Sequence, residues 1–469
     1  MIVVLSQGCA ANFGDGEKIA RILSQKSEVT FEFPEAKPAH STRAASFSSK
    51  TPANLENAEN SASAANPADF STEKTEAFYL NVCTVKGNAG AMKLLRKAAS
   101  TFPGVPIYIT GCAPKDFREE ALRAVPHVQF TSLKELEDSA ALPPQPAQSP
   151  SSLINARTPD SNKVSRNVLR ESPFVGIVNI EEGCLDACAF CSTHLVKGRL
   201  HSFAPQTIVD QVQALVDDGC LEIQLTGQDC ACYGFDIGTN LAELTQRILT
   251  HVNGNYRIRL GMGNPRHVLG YQEALLDCFT DNRIYKFIHI PVQSGSENVL
   301  KAMNRRHTAR DYATLAHAFT ERFRKFTLST DLIVGYPGET AADFNDTLKL
   351  LKETRPTVCN ITRFVARPGT VAAHLEPASN QAVPDDIKHE RSAILAEAFQ
   401  QIALENNREW IGDECIVVTE KPGYRAGTTI ARNEAYRPVA LQGTFPAGQT
   451  LRVRITGAEP FALLAEPLA

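Results

Sequence analysis

No stretch of this 469-residue chain approaches the length of a membrane span, and no charge of one sign dominates, with 48 Lys plus Arg against 52 Asp plus Glu. The first absence excludes helical membrane insertion. The second excludes a uniformly basic coat, so any RNA contact has to come from local patches or from shape. An export signal is missing as well, because Met1-Ile2-Val3-Val4-Leu5 is apolar but short and uncharged, and Cys9 lacks a lipoprotein-type cleavage context. Without export, twelve cysteines point to reduced thiols and metal, not to disulfides, and to the cytoplasm. The remaining composition, 43% hydrophobic and 21% charged, is that of an ordinary globular chain with room for two to four domains.

What is present centres on Gly183-Cys184-Leu185-Asp186-Ala187-Cys188-Ala189-Phe190-Cys191, just after the apolar run Phe174 to Ile180. That run reads as a buried strand, which puts the cysteines on the loop at its carboxyl end, where barrel-like α/β folds carry function. A structural zinc site takes four ligands, usually in paired knuckles, and the chain has no second CxxC. A four-iron cluster takes four ligands, so three thiolates leave one iron open. The amino and carboxylate groups of S-adenosylmethionine fill such a position and set its sulfonium beside the cluster. The CxxxCxxC spacing with Phe190 before the last cysteine resembles the signature of radical S-adenosylmethionine enzymes.

The first segment alternates short strands and helices. Ile2 to Leu5, Phe78 to Asn81 and Ile107 to Thr110 read as strands, and each delivers a cysteine just beyond its carboxyl end: Cys9, Cys83 and Cys112. In an open parallel sheet those ends share one edge, where ligands bind, so the three thiols are expected to meet. Three again leave one iron open, and a second cluster is expected there. Residues 36–74, rich in Ala, Ser, Asn and Pro, read as a flexible insertion, and 141–172 as a linker. Its Arg157, Lys163 and Arg166, with Arg170, are weak candidates for RNA contact; a solvated linker is the simpler reading.

The central segment, 173–406, again alternates. Five further strands, at Leu221–Leu225, Arg257–Leu260, Lys286–Ile290, Thr327–Thr330 and Val358–Phe364, join the cysteine strand in a parallel partial barrel of six. The loops Thr226-Gly227-Gln228-Asp229, Gly261 to Pro265, Pro291 to Ser296 and Asp331 to Thr340 converge on the mouth that holds the cysteines. Cys220, Cys230, Cys232, Cys278, Cys359 and Cys415 read as packing thiols, and a lone His194 says little. The last segment, 407–469, changes to short strands with turns between them, a pattern of a small antiparallel barrel of about five strands. Its charges nearly balance, so Tyr424, Tyr436, Arg425, Arg432 and Arg437 are the residues available to stack on or grip RNA.

These motifs together resemble the radical methylthiotransferases over nearly the whole chain. The resemblance rests on Gly8-Cys9 with Asn12, Asn81-Val82-Cys83-Thr84-Val85, Thr110-Gly111-Cys112, the central CxxxCxxC, Pro291 to Ser296 with Met303, and Arg367-Pro368-Gly369-Thr370. It implies a flavodoxin-like first domain (1–140), a radical S-adenosylmethionine domain as a partial (β/α)6 barrel (173–406) and a TRAM barrel (407–469). It also implies two [4Fe-4S] clusters, two roles for S-adenosylmethionine, an electron donor and a sulfur donor. By analogy, Phe190, Gly227, Gln228, Gln293 and Asp331 are candidates for holding S-adenosylmethionine. Leu225 to Asp229, Tyr233-Gly234, Asp236 to Leu241 and Arg259 to Met262 resemble the archaeal and eukaryotic subgroup. That subgroup implies tRNA carrying threonylcarbamoyladenosine beside the anticodon, with a methylthio group added at carbon 2. Isopentenyl-modified tRNA or a ribosomal-protein aspartate is the alternative target, and a structural-metal RNA-binding protein without turnover is a rival of another class.

Overall fold

A computed structural model describes residues 1–7, 10–34, 75–83, 89–139, 169–379 and 382–468. Cys9, the insertion 36–74, Arg157, Lys163 and Arg166 lie outside the described residues. Strands β1 (Ile2–Ser6), β2 (Val29–Thr30), β3 (Ala77–Val82), β4 (Ile107–Gly111) and β5 (Gln129–Phe130) form one parallel sheet in the order β2-β1-β3-β4-β5. Every residue of β3 is buried, as a strand covered on both faces requires. The period of two sends Val3, Leu5, Phe78 and Leu80 into one core and Ile2, Val4 and Tyr79 into the other. The strand order reverses between β1 and β3, which opens a crevice at their carboxyl ends.

The middle of the chain adds β6 (Val175–Asn179), β7 (Glu181–Glu182), β8 (His201–Ser202), β9 (Glu222–Thr226), β10 (Arg257–Leu260), β11 (Phe287–His289), β12 (Thr327–Val334) and β13 (Val358–Arg363). All six expected barrel strands are present, but as two parallel halves, β10-β9-β6 and β11-β12-β13. They meet at a single parallel bridge, Ile258 with Ile284, supported by the Gly263 amide donating to the His289 carbonyl at 2.9 Å. The seam falls where β11 is only three residues long. Residues such as Ile223, Leu225, Ile258, Leu260, Ile288 and Leu328 pack outward against the helices in one core. The helix Ala10–Leu23 lies on the edge strand β6, and it comes so close that a Cβ at Gly14 would sit 3.0 Å from Ile177 Cγ2. That contact sets the first sheet beside the cysteine-bearing half of the barrel.

The last segment closes into a barrel in the order β14-β15-β16-β18-β17, from β14 (Glu414–Pro422), β15 (Thr428–Asn433), β16 (Pro438–Gln442), β17 (Thr450–Glu459) and β18 (Ala462–Pro467). It is not wholly antiparallel as expected, because β16 and β18 pair in parallel, and that pairing is what closes it. The expected RNA contacts divide. Tyr424 and Arg425 are exposed. Tyr436, Arg432 and Arg437 instead join the barrel to the middle sheet. Asn433 Oδ1 accepts from the amides of Ala435 and Arg437, and this turn holds Tyr436 at φ +58°. The Tyr436 hydroxyl donates to Glu222 at 3.0 Å, at the start of β9. Arg437, 4% exposed, bonds Thr327 at 3.2 Å, Thr357 at 3.1 Å and Asn407, and lies over Trp410. The barrel therefore plugs the amino-terminal ends of the central strands, opposite the cysteine loop. Arg170, a weak candidate for RNA contact in the sequence, is tied to Asp218 at 2.6 Å.

Replacing Arg437 with Ala removes a buried donor from the Thr327, Thr357 and Asn407 oxygens, and it is expected to cost about 2–4 kcal/mol. Thermal unfolding against wild type checks this; an unchanged midpoint would mean that the junction contributes no stability.

Candidate active site

The cysteine loop is anchored before it is loaded. Gly183, at φ +82°, runs so close to Arg199 that a Cβ would lie 2.1 Å from its carbonyl oxygen. Its amide donates to Gln228 Oε1 at 2.7 Å, and the Cys184 amide donates to the Gly198 carbonyl at 3.2 Å. Farther along, the Ala189 amide donates to Met303, and Asn304 Nδ2 donates to the Ala187 carbonyl at 2.7 Å. The three sulfurs, all half-buried, each receive one donor. The Asp186 amide reaches Cys184 Sγ at 3.4 Å, the Thr193 amide reaches Cys191 Sγ at 3.4 Å, and Arg305 Nη1 reaches Cys188 Sγ at 3.5 Å. Donors aimed at sulfur stabilise thiolate, the form that binds iron. Burial pushes the Cys184 and Cys188 thiols up, and Arg305 opposes it at Cys188. The donor set fits an iron–sulfur cluster.

The five residues expected to hold S-adenosylmethionine scatter in role. Asp331, on β12, accepts from His289 Nε2 at 3.1 Å and Asn360 Nδ2 at 2.7 Å. Burial raises its carboxyl, but His289, Asn360 and the charge of Arg305 outweigh that and hold it below the usual range. Gln293 sits at φ +77°, its amide on the Asp331 carbonyl at 2.8 Å, so its backbone knits two strand ends together. Gln228 already anchors Gly183. Gly227 admits Glu181, whose Oε1 would lie 1.9 Å from a Cβ there. Phe190 packs with Met303, Tyr336 and Phe364. Gln228, Gln293 and Asp331 thus border the mouth, while Phe190 and Gly227 are placed by packing and close approach.

Sequence reasoning missed the polar frame around the loop. Arg305 also donates to the Pro291 carbonyl, and its charge acts on Asp186, Asp229 and Asp331. Asp186, between the first two cysteines, accepts from Asn264 and Arg266 at 2.5 Å each and from His267 at 3.2 Å. Its side chain lies against the loop after β10, which pins the cysteine loop from the far side. Nothing local in sequence marks Arg305, 117 residues beyond Cys188.

Glu181, 1% exposed, accepts from the Asp229 amide at 3.0 Å, while its Oε2 has no partner among the described residues. Burial, aided by the Asp229 charge, pushes its carboxyl up to about 8. An acid raised in the folded state stabilises fully below its unfolded value, and that contribution is lost as pH rises through about 8. Glu181→Gln keeps an acceptor for Asp229 and loses the titration. Urea midpoints are expected to fall more steeply between pH 6 and pH 8.5 in wild type than in the variant, where the Glu17 carboxyl, pushed up by burial to about 7, still titrates. Parallel pH dependence in both would contradict this.

In the first sheet, Val82 pairs with Gly111, which sets Cys83 and Cys112 side by side at adjoining strand ends. Asn12 Nδ2 donates to the Gln7 carbonyl at 2.7 Å and the Asn81 carbonyl at 2.9 Å, so β1 is tied to the same edge. Cys9 lies outside the described residues. Lys197, on the short helix Thr193–Lys197 after the third central cysteine, reaches Asp15 of the first domain at 3.3 Å. Burial lowers its ammonium, but Asp15, Cys112 and Glu182 outweigh that and hold it above the usual range. This ion pair ties the helix that follows the central cysteines to the first domain near Cys112. The six other cysteines are buried or half-buried within cores, as expected.

The Radical SAM superfamily model matches residues 178–351. A probable threonylcarbamoyladenosine tRNA methylthiotransferase of Archaeoglobus fulgidus is 41% identical over 61% of this chain and 66% of its own length. One from Pyrococcus horikoshii is 35% identical over 99% of both chains. The chain belongs to the threonylcarbamoyladenosine tRNA methylthiotransferase family. The human threonylcarbamoyladenosine tRNA methylthiotransferase is 34% identical over 58% of this chain and 46% of its own. This threonylcarbamoyladenosine tRNA methylthiotransferase family member is a radical S-adenosylmethionine methylthiotransferase, with the Radical SAM superfamily match running from β6 to the helix after β12. Among the described residues no helix is long and apolar enough to cross a membrane.

Proposed function

We infer that the protein attaches a methylthio group to carbon 2 of threonylcarbamoyladenosine in tRNA, as a radical S-adenosylmethionine methylthiotransferase. The observation that carries this is the full-length kinship together with a three-thiol loop whose sulfurs each receive a donor. Cys184, Cys188 and Cys191 would hold one [4Fe-4S] cluster, and Cys9, Cys83 and Cys112 a second. Once bound, these groups supply reductive cleavage of S-adenosylmethionine and a sulfur for methylation and transfer. Arg305 supplies a cation beside Cys188, suited to the carboxylate of S-adenosylmethionine. Gln228 and Gln293 hold the strand ends that shape its pocket, and Asp331, kept ionised by His289, is an acceptor for its hydroxyl or amino groups. The Lys197–Asp15 ion pair would help hold the two domains that carry these centres together.

The order β2-β1-β3-β4-β5 supports a flavodoxin-like first domain, and the five-stranded closure supports a TRAM barrel. Domain limits near 140, 173 and 407 fit these units. An electron donor and a sulfur donor complete the requirements of the reaction. Nucleoside analysis of tRNA from cells lacking the protein tests the assignment: threonylcarbamoyladenosine should persist without its methylthio form, while the methylthio form of isopentenyladenosine stays at its wild-type level. Loss of the isopentenyl product instead would move the activity to the alternative target.

A further inference from the structure

A parallel barrel points alternate strand residues inward, and here the inward row is polar. Gln224 on β9, Arg259 on β10, His289 on β11 and Asp331 on β12 stand across from the outward Ile223, Ile258, Ile288 and Leu328. Most of this row is matched: His289 and Asn360 satisfy Asp331, and Gln224 bonds Glu222 at 2.6 Å and Tyr436 at 3.3 Å. Arg259 is not. Its Nε is sealed from solvent without a partner, and no carboxylate forms an ion pair with it among the described residues. Two rings hold it instead, Phe287 at 5.1 Å and Tyr436 at 5.6 Å. Ring faces orient a guanidinium but do not neutralise it, and leave its forked N–H groups for a planar anion. Phe287 lies two residues below His289 on the same face of β11, so Arg259 lies one layer beneath the His289–Asp331 pair, toward the floor that Tyr436 closes.

We propose that Arg259 is the receptor for the carboxylate of the threonylcarbamoyl group, the feature that distinguishes this substrate from a base carrying a neutral isopentenyl chain. The proposal rests on the substrate reading above. A base presented at the cysteine mouth would extend its modifying group down the row, past Asp331 and His289, to the unpaired guanidinium. A neutral chain placed there would leave the half-buried guanidinium without an anion and its sealed Nε without a partner, so discrimination comes from that penalty as well as from the attraction.

The test is a substrate-by-residue cycle with anticodon stem-loop RNA carrying threonylcarbamoyladenosine as the free acid or as its methyl ester. Both binding and product formation by the cluster-loaded protein are read. Wild type should favour the acid over the ester by roughly 10²-fold in kcat/KM, and by at least about tenfold in RNA affinity. In Arg259→Gln the two RNAs should become equivalent, and Arg259→Lys should restore part of the preference. The acid-versus-ester comparison in wild type stands without the variants, so a misfolded variant does not spare the proposal. Equal treatment of acid and ester by wild type would overturn it, as would an acid preference surviving in Arg259→Gln or Arg259→Lys at wild-type size. A wild type that forms no methylthio product on the acid RNA would instead overturn the substrate reading itself.

Discussion

Anaerobically purified wild type is expected to carry about eight irons per chain, and the Cys184→Ala, Cys188→Ala, Cys191→Ala variant about four. The two cysteine sets sit on separately cored units. Cys83 and Cys112 end strands of a sheet with its own apolar layers on both faces, none of which includes the central loop. Removing three thiols from the middle barrel therefore leaves the other site its scaffold. The central loop is also held by backbone bonds from Gly183, Cys184 and Ala189 that do not use sulfur, so the variant should stay folded. Its remaining iron should bring no cleavage of S-adenosylmethionine. A fall from about four irons to none would remove the second cluster, and zinc in place of iron would support the structural-metal rival.

Arg305→Met should lower reductive cleavage of S-adenosylmethionine by on the order of 10²-fold or more. One guanidinium donates to Cys188 Sγ and to the Pro291 carbonyl, and its charge helps keep Asp186 and Asp331 ionised. Removing it leaves the half-buried Cys188 thiol without its cationic donor and loosens the loop after β11. Affinity for S-adenosylmethionine should weaken about tenfold through loss of a charge-assisted carboxylate contact. Arg305→Lys, which keeps charge but not the two-pronged geometry, should fall between. Deoxyadenosine release and equilibrium binding read the two effects apart. Rates within twofold of wild type in Arg305→Met would show that the arginine only fills space.

How much of this was legible in the sequence differs by element. The CxxxCxxC loop is local, and its position after a buried strand is visible in the apolar run before it. Cys83 and Cys112 were legible by repetition, since strand-then-cysteine recurs at a common sheet edge. Arg305 and His267 were not, because they reach the loop only through the closure of the barrel. Tyr436, Arg432 and Arg437 misled for a physical reason. An aromatic flanked by arginines has the same composition whether it meets RNA or a neighbouring domain, and only the turn at Asn433, with Tyr436 at φ +58°, turns it inward. The parallel pairing of β18 with β16 was not legible either, because it has no local signal.

The most direct measurement is the product formed by the cluster-loaded protein with S-adenosylmethionine, a reductant and stem-loop RNA bearing threonylcarbamoyladenosine, followed by nucleoside mass spectrometry. The account predicts a nucleoside in which one methylthio group replaces hydrogen at carbon 2, formed by wild type and absent with the Cys184→Ala, Cys188→Ala, Cys191→Ala variant. Unaltered threonylcarbamoyladenosine alongside a methylthiolated isopentenyladenosine in a parallel reaction would contradict it.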